Sequence, residues 1–141
     1  MISRRVGSGL AKLGIGHGDV VMLLLPNRPE FAFVFLGSSR IGAIVTTANP
    51  FYTPGEIAKQ AMASEARVIV TQASHVEKLC DLEREKSSLL VITIDTGAPE
   101  GCLHFSVLAE ADENEICIFV FFAWPCIFVF VLFYFSSVFP F

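Results

Sequence analysis

Charge is absent from the last 26 residues, 116–141, which read ICIFVFFAWPCIFVFVLFYFSSVFPF. Paired cysteines are absent too. Cys80, Cys102, Cys117 and Cys126 are widely spaced and form no CxxC, which argues against a zinc site and implies free thiols in a reducing compartment. Basic clusters stop at Arg4-Arg5, and 10 Lys+Arg against 14 Asp+Glu leave a net charge of −4. A nucleic-acid partner, which calls for a basic face, is therefore not expected. The opening MISRRVGSGLAKLG holds no continuous apolar run of secretory-signal length. There is no phosphate-binding GxxxxGKS/T and no GxSxG elbow.

What is present divides after Glu115. Residues 1–115 have the composition of ordinary α/β protein and form one modest domain. Residues 109–115, AEADENE, are as acidic as the following segment is apolar. Residues 116–141 exceed the roughly 20 needed to span a bilayer. Eleven of them are aromatic, many others are β-branched, Pro125 sits near the middle and no basic residue follows. Three readings stay open: translated non-coding sequence, which is favoured, a membrane segment, and a core or interaction segment. A free segment of this kind aggregates in water.

The first 115 residues alternate in period. Val6, Leu10 and Leu13 recur at helical spacing over residues 3–14, and Gly14, Gly16 and Gly18 suit the cap and turn that follow. Residues 20–25, VVMLLL, read as a strand buried on both faces. Asn27 with Glu30 reads as a capping box opening a helix whose inner face is Phe31, Val34, Phe35 and Ile41, widened by Ala32, Phe33 and Leu36. A short strand over 43–46 precedes the loop Asn49-Pro50-Phe51-Tyr52. Thr53-Pro54-Gly55-Glu56 combines a cap, a first-position proline and a box-closing glutamate. That helix turns Ile57, Ala61 and Met62 inward and Lys59 and Gln60 outward. Strands follow at 67–71 and 89–94, separated by a third expected box at Ser74 and Glu77, with Val76, Leu79 and Cys80 on one face. Residues 97–101 are a loop, and 105–108 begin a short helix or extended stretch. Helix and strand alternate throughout, so a mainly parallel sheet flanked by helices is predicted.

Chemistry-bearing patterns are sparse. Gly14, Gly16 and Gly18 close a helix and precede a strand, the reverse of a dinucleotide fingerprint. His17, His75 and His104 share no metal spacing and read as surface or internally satisfied residues. Glu83-Arg84-Glu85-Lys86 is a solvated helix end. Phe51 and Tyr52 offer an aromatic pair for contacts, against the plainer reading that they plug the edge of the core. No catalytic, cofactor-binding or metal-ligating residue is assigned.

Three stretches carry a resemblance: LLLPNRPEF at 23–31, ANPFYTPGEIAKQA at 48–61 and LAEADENE at 108–115. Together they resemble plant 4-coumarate–CoA ligases, of the AMP-forming acyl-activating superfamily, over residues 4–115. Arg28 and Arg40-Ile41 depart from the family pattern outside its motifs. The resemblance implies a partial N-terminal domain of the acyl-adenylating fold, followed by an apolar tail. It implies phenylpropanoid chemistry in the intact enzyme, whose cofactors are ATP, Mg²⁺ and coenzyme A. A hydroxycinnamate carboxylate attacks the α-phosphate of ATP and expels pyrophosphate, and the coenzyme A thiol then displaces AMP to give the thioester. The family's Ser/Thr/Gly-rich phosphate loop is expected soon after Glu115, where the apolar tail begins, and family members carry further residues ahead of Ser3. No catalytic residue therefore transfers to this chain, which is expected to be inactive alone. The alternative is a non-catalytic protein tethered to a membrane through residues 116–141 or associated with full-length ligase. Localisation is cytoplasmic by resemblance, and at a membrane if the tail is genuine.

Overall fold

A computed structural model describes residues 2–112 of the 141-residue chain. The expected phosphate-loop position and the apolar tail lie outside the described residues. Five strands form one sheet in the order β2-β1-β3-β4-β5. They are β1 (Val20–Leu24), β2 (Ile44–Thr47), β3 (Val68–Thr71), β4 (Leu90–Thr93) and β5 (Leu103–His104). Every pairing is parallel, with Val21 opposite both Val45 and Val68, Val70 opposite Ile92, and Thr93 opposite His104. The helices are α1 (Ile2–Lys12), α2 (Pro29–Arg40), α3 (Pro54–Ala63), α4 (Ala73–Val76), α5 (Cys80–Glu85) and α6 (Ser106–Ala109). A 3-10 turn, Glu77–Leu79, separates α4 from α5.

The apolar run of β1 splits by alternation. Val21, Leu23 and Leu25 join a core with Val6, Leu10, Val34, Val70 and Leu108, beneath α1, α2 and α6. Met22 and Leu24 join Ile57, Ala61, Ile69, Leu79 and Leu82 beneath α3 and α5. Both faces of β1 are thus covered, as the sequence predicts, and each fully buried Leu or Ile contributes about 1.5–3 kcal/mol.

The first core depends on small residues. A methyl group at Gly9 would stand 2.6 Å from the Leu108 Cα, and one at Gly37 would stand 2.8 Å from Val6 Cγ1 and 3.0 Å from the Gly7 nitrogen. The backbones of α1, α2 and α6 meet because those positions carry no side chain. Ser8 and Ser38 lie in the same seam, and their hydroxyls are buried without hydrogen-bond partners.

Three helices end alike. Gly14, Gly42 and Glu65 adopt positive φ, and the next residue bonds back to Leu10, Ser38 or Ala61 at about 3.0 Å. This is the Schellman geometry, with glutamate where glycine is the ordinary choice.

Several expectations need correction. The box at Asn27 and Glu30 does not form: Pro29 takes the first helical position, Arg28 becomes the cap and no side chain bonds it. Ala32 and Leu36 are exposed on α2 rather than buried. The box at Ser74 and Glu77 is also absent, because the helix starts two residues early behind Gln72, and the Ala73 N–H is bonded by Asp95 instead. Cys80 is exposed, and so is Met62 on α3. Gln60 does not face water; its Nε2 donates to the Thr47 carbonyl at 2.6 Å. The box at Thr53 and Glu56 forms in full, and strand β5 is an addition.

Candidate functional site at the carboxyl ends of the strands

The sheet order reverses between β1 and β3, since β2 lies to one side of β1 and β3 to the other. In an open parallel sheet the crevice beyond the carboxyl ends at such a reversal is where ligands bind. Four segments meet on this rim: Asn27-Arg28 after β1, the loop 48–53 after β2, Gln72-Ala73 after β3 and Asp95 after β4. The Thr71 hydroxyl donates to the Leu24 carbonyl at 3.1 Å and ties β3 to β1 beneath them.

Asp95 is the centre of the polar part. Its Oδ2 accepts the Ala73 N–H at 2.7 Å, and its Oδ1 lies 3.7 Å from Arg28 Nη2. Arg28 Nε stands 3.9 Å from Glu30 Oε2, an atom buried without a hydrogen bond. The single guanidinium is shared between two carboxylates, which limits its capacity for a further anion. His75 lies in the first turn of α4. Burial, aided by the Lys78 ammonium, lowers its pKa below the ordinary 6.5, while Asp95 opposes that shift. Its Nδ1 is buried without a partner in a side chain that is itself only half-buried.

The loop on the rim is tightly held. Asn49 Oδ1 accepts the Phe51 N–H at 2.9 Å, and the Asn49 carbonyl accepts the Tyr52 N–H at 3.0 Å. Lys78 Nζ donates to the Pro50 and Tyr52 carbonyls at 2.8 and 3.2 Å. Tyr52 packs against the second core, as the plainer sequence reading has it. Phe51 does not; it is 93% exposed.

The amino ends of the strands are organised differently. Arg67 Nη1 contacts Asp19 Oδ1 at 2.8 Å and the Gly14 carbonyl at 3.3 Å, and Asp19 Oδ2 accepts the Gly16 N–H at 2.8 Å. The Arg67 hydrogen bond, then that from Gly16, holds the Asp19 carboxyl below its ordinary range. A cavity of about 350 Å³ there is lined by Arg67 and Lys86 against Asp19 and Glu65, so it favours neither sign of charge. The Gly14–Gly18 turn belongs to this end, and its Gly16 N–H is already committed to Asp19, so it is no phosphate cradle.

Two further arrangements invite a catalytic reading and do not sustain it. Ser106 Oγ lies 2.9 Å from His104 Nδ1, the distance of a nucleophile and its base. The same Nδ1 also accepts the Ser106 backbone N–H at 3.2 Å, so the contact is a local cap two residues apart. Cys102 has its pKa raised, by burial first and by Glu83 and Cys80 next, the opposite of an activated thiol. Among the described residues, no three His, Cys, Asp or Glu are placed to hold a metal ion. Asp95 was not a candidate site residue on sequence grounds, and its only signal is its place just after a strand; Phe51 was singled out there as half of an aromatic loop pair.

A family model described as "AMP-binding enzyme" matches residues 2–120. The 4-coumarate–CoA ligase of Pinus taeda is 66% identical over 115 residues, covering 82% of this chain and 21% of that protein. 4-coumarate–CoA ligase 1 of Petroselinum crispum is 56% identical over 116 residues, with the same coverage. The crystal structure of an acyl-CoA synthetase from Brucella canis superposes with a TM-score of 0.72 at 35% identity, over 80% of this chain and 21% of that one. An anthranilate–CoA ligase in complex with anthranoyl-AMP superposes at 0.74 with 24% identity, over 79% of this chain and 22% of that one, and shows the fold alone. The chain spans about a fifth of the length of the curated relatives it matches. With its parallel sheet and flanking helices, it belongs to the AMP-binding enzyme family and has the fold of part of an acyl-CoA synthetase N-terminal domain.

Proposed function

We propose that residues 1–115 are a piece of a 4-coumarate–CoA ligase, and that residues 116–141 form a separate apolar segment. The intact enzyme would convert a hydroxycinnamate, ATP and coenzyme A into hydroxycinnamoyl-CoA, AMP and pyrophosphate, with Mg²⁺ on the nucleotide, in the cytoplasm. The observation that carries this reading is the 66% identity to the Pinus taeda enzyme across 115 residues. The chain supplies scaffold: a central sheet, its two helical layers and one rim of strand ends. ATP, Mg²⁺ and coenzyme A would be held by polypeptide beyond the described residues, so the fragment alone is inactive.

The test is a chimera in which residues 2–112 replace the matching segment of the Pinus taeda enzyme. The expected result is 4-coumarate-dependent thioester formation by the chimera, and no 4-coumarate-dependent ATP–pyrophosphate exchange by the 141-residue chain alone. A folded chimera that forms no thioester, or a chain that exchanges pyrophosphate alone, overturns the reading.

A further inference from the structure

We propose that Lys78 is a latch on the rim loop 48–53 and that His75 is its pH-sensitive catch: a proton gained by the His75 ring makes Lys78 let go of the loop. The inference stands on this chain's own residues and does not depend on the ligase reading. The latch is visible in two bonds. The Lys78 ammonium donates to the Pro50 carbonyl at 2.8 Å and to the Tyr52 carbonyl at 3.2 Å, so one side chain ties the loop after β2 to the 3-10 turn after β3. His75 stands three residues before Lys78. The backbone between them is helical, with φ and ψ of −59° and −39° at Val76 and −55° and −32° at Glu77. That spacing puts both side chains on one face, about 5–6 Å apart at Cβ.

Neutral imidazole carries a proton on one ring nitrogen, and imidazolium carries one on each. Whichever tautomer is present at neutral pH, protonation sets a second positive charge beside the Lys78 ammonium and makes the unpartnered Nδ1 a charged donor. Burial first, and Lys78 next, resist that charge, while Asp95 at the end of β4 favours it. Asp95 is already engaged, by the Ala73 N–H at 2.7 Å and by Arg28 at 3.7 Å from the start of α2, so it offsets only part of the repulsion. The flexible lysine stem gives way, because its two acceptors are uncharged carbonyls that water can replace. The released loop keeps the Asn49 bond at one end and the capping box of Thr53 and Glu56 at the other. Its middle, with the exposed Phe51, is no longer held.

The experiment is amide exchange at Phe51 and Tyr52 in the 141-residue chain at about pH 7.5 and about pH 5, each rate corrected for the intrinsic rate at that pH. Protection at these two amides is expected to fall at the lower pH by roughly fivefold more than at Val21 and Ile69 in the central strands. His75→Gln is expected to hold the loop protected at both pH values, and Lys78→Met to leave it at the lower level at both. A fall as large in His75→Gln as in the unmodified chain overturns the assignment. So does a fall no larger at Phe51 and Tyr52 than at Val21 and Ile69, which marks a loss of global stability. Full protection in Lys78→Met at the higher pH removes the latch itself. If a variant does not fold, the unmodified chain still decides. The NMR titration of the His75 ring and the loss of loop protection must share one midpoint, and midpoints about one pH unit or more apart overturn the proposal.

Discussion

The two helical layers use opposite strategies. Beneath α1, α2 and α6, backbones touch across Gly9 and Gly37, and there is no room for a methyl group. Beneath α3 and α5 the fit is made by larger side chains, Ile57, Leu79 and Leu82, and reinforced by long polar arms. Gln60 reaches the Thr47 carbonyl, Lys78 the loop at Pro50 and Tyr52, and Lys86 the Ala66 carbonyl at 2.7 Å. One layer is specified by the volume it lacks, the other by the hydrogen bonds it adds. Substitutions should therefore fail for different reasons on the two sides.

The largest effect is expected at Gly9. Alanine is the better helix former by about 1 kcal/mol, but its methyl meets backbone, which no rotamer change relieves. Gly9→Ala should lose about 1–3 kcal/mol in urea denaturation, and Gly37→Ala a similar amount. An unchanged midpoint for both would remove the distinction between the layers. In the same seam, Ser38→Ala should gain about 1 kcal/mol, because it deletes a buried hydroxyl that has no partner. On the other side, Gln60→Ala should cost about 1 kcal/mol by freeing the Thr47 carbonyl. Opposite signs for these two alanine substitutions, read as Tm shifts in one buffer, are the sharpest form of the comparison. At the end of α3, Glu65→Gly should gain about 0.5 kcal/mol, relief at positive φ outweighing the added freedom of the unfolded chain.

The smallest effect is one of pH. The folded-state pKa of His75 lies below the ordinary 6.5, so the unfolded chain binds a proton that the folded chain resists. The stability linked to His75 is complete above pH 6.5 and declines as pH falls from there through the folded value. His75→Gln should flatten the Tm profile between about pH 7 and 5. Asp19, also lowered, acts in the same direction but only below its ordinary 3.8.

Strands β1 to β4 were visible in the sequence as apolar runs, and their parallel order followed from alternation with helices. Strand β5 was not visible, because two residues, Leu103 and His104, have no period, and only their pairing with Ile92 and Thr93 defines them. The three capping patterns teach more. Thr53 and Glu56 share a helix start whose partners are all local, so the pattern sufficed. At Asn27 the proline two residues on moved the start by one position, and a box one residue out of phase closes nothing. At Ser74 a distant carboxylate, Asp95, bonded the first free N–H and set the start instead. The polar rim was hidden for the same reason as that last failure. Arg28, Ala73 and Asp95 meet only because β1, β3 and β4 are neighbours, which no short stretch of sequence records.

The strand order also has a consequence during synthesis. As the chain leaves the ribosome, β1 and β2 can pair as soon as α2 is complete, because β2 is the next strand made and lies directly beside β1. The other side of β1 must wait for β3, and the Thr71 bond to Leu24 closes a span of 47 residues. Until Val68–Thr71 emerges, the most apolar strand of the sheet stands with one edge bare. That interval is when a nascent chain of this kind is most exposed to aggregation or chaperone capture, and it ends with a segment of only four residues.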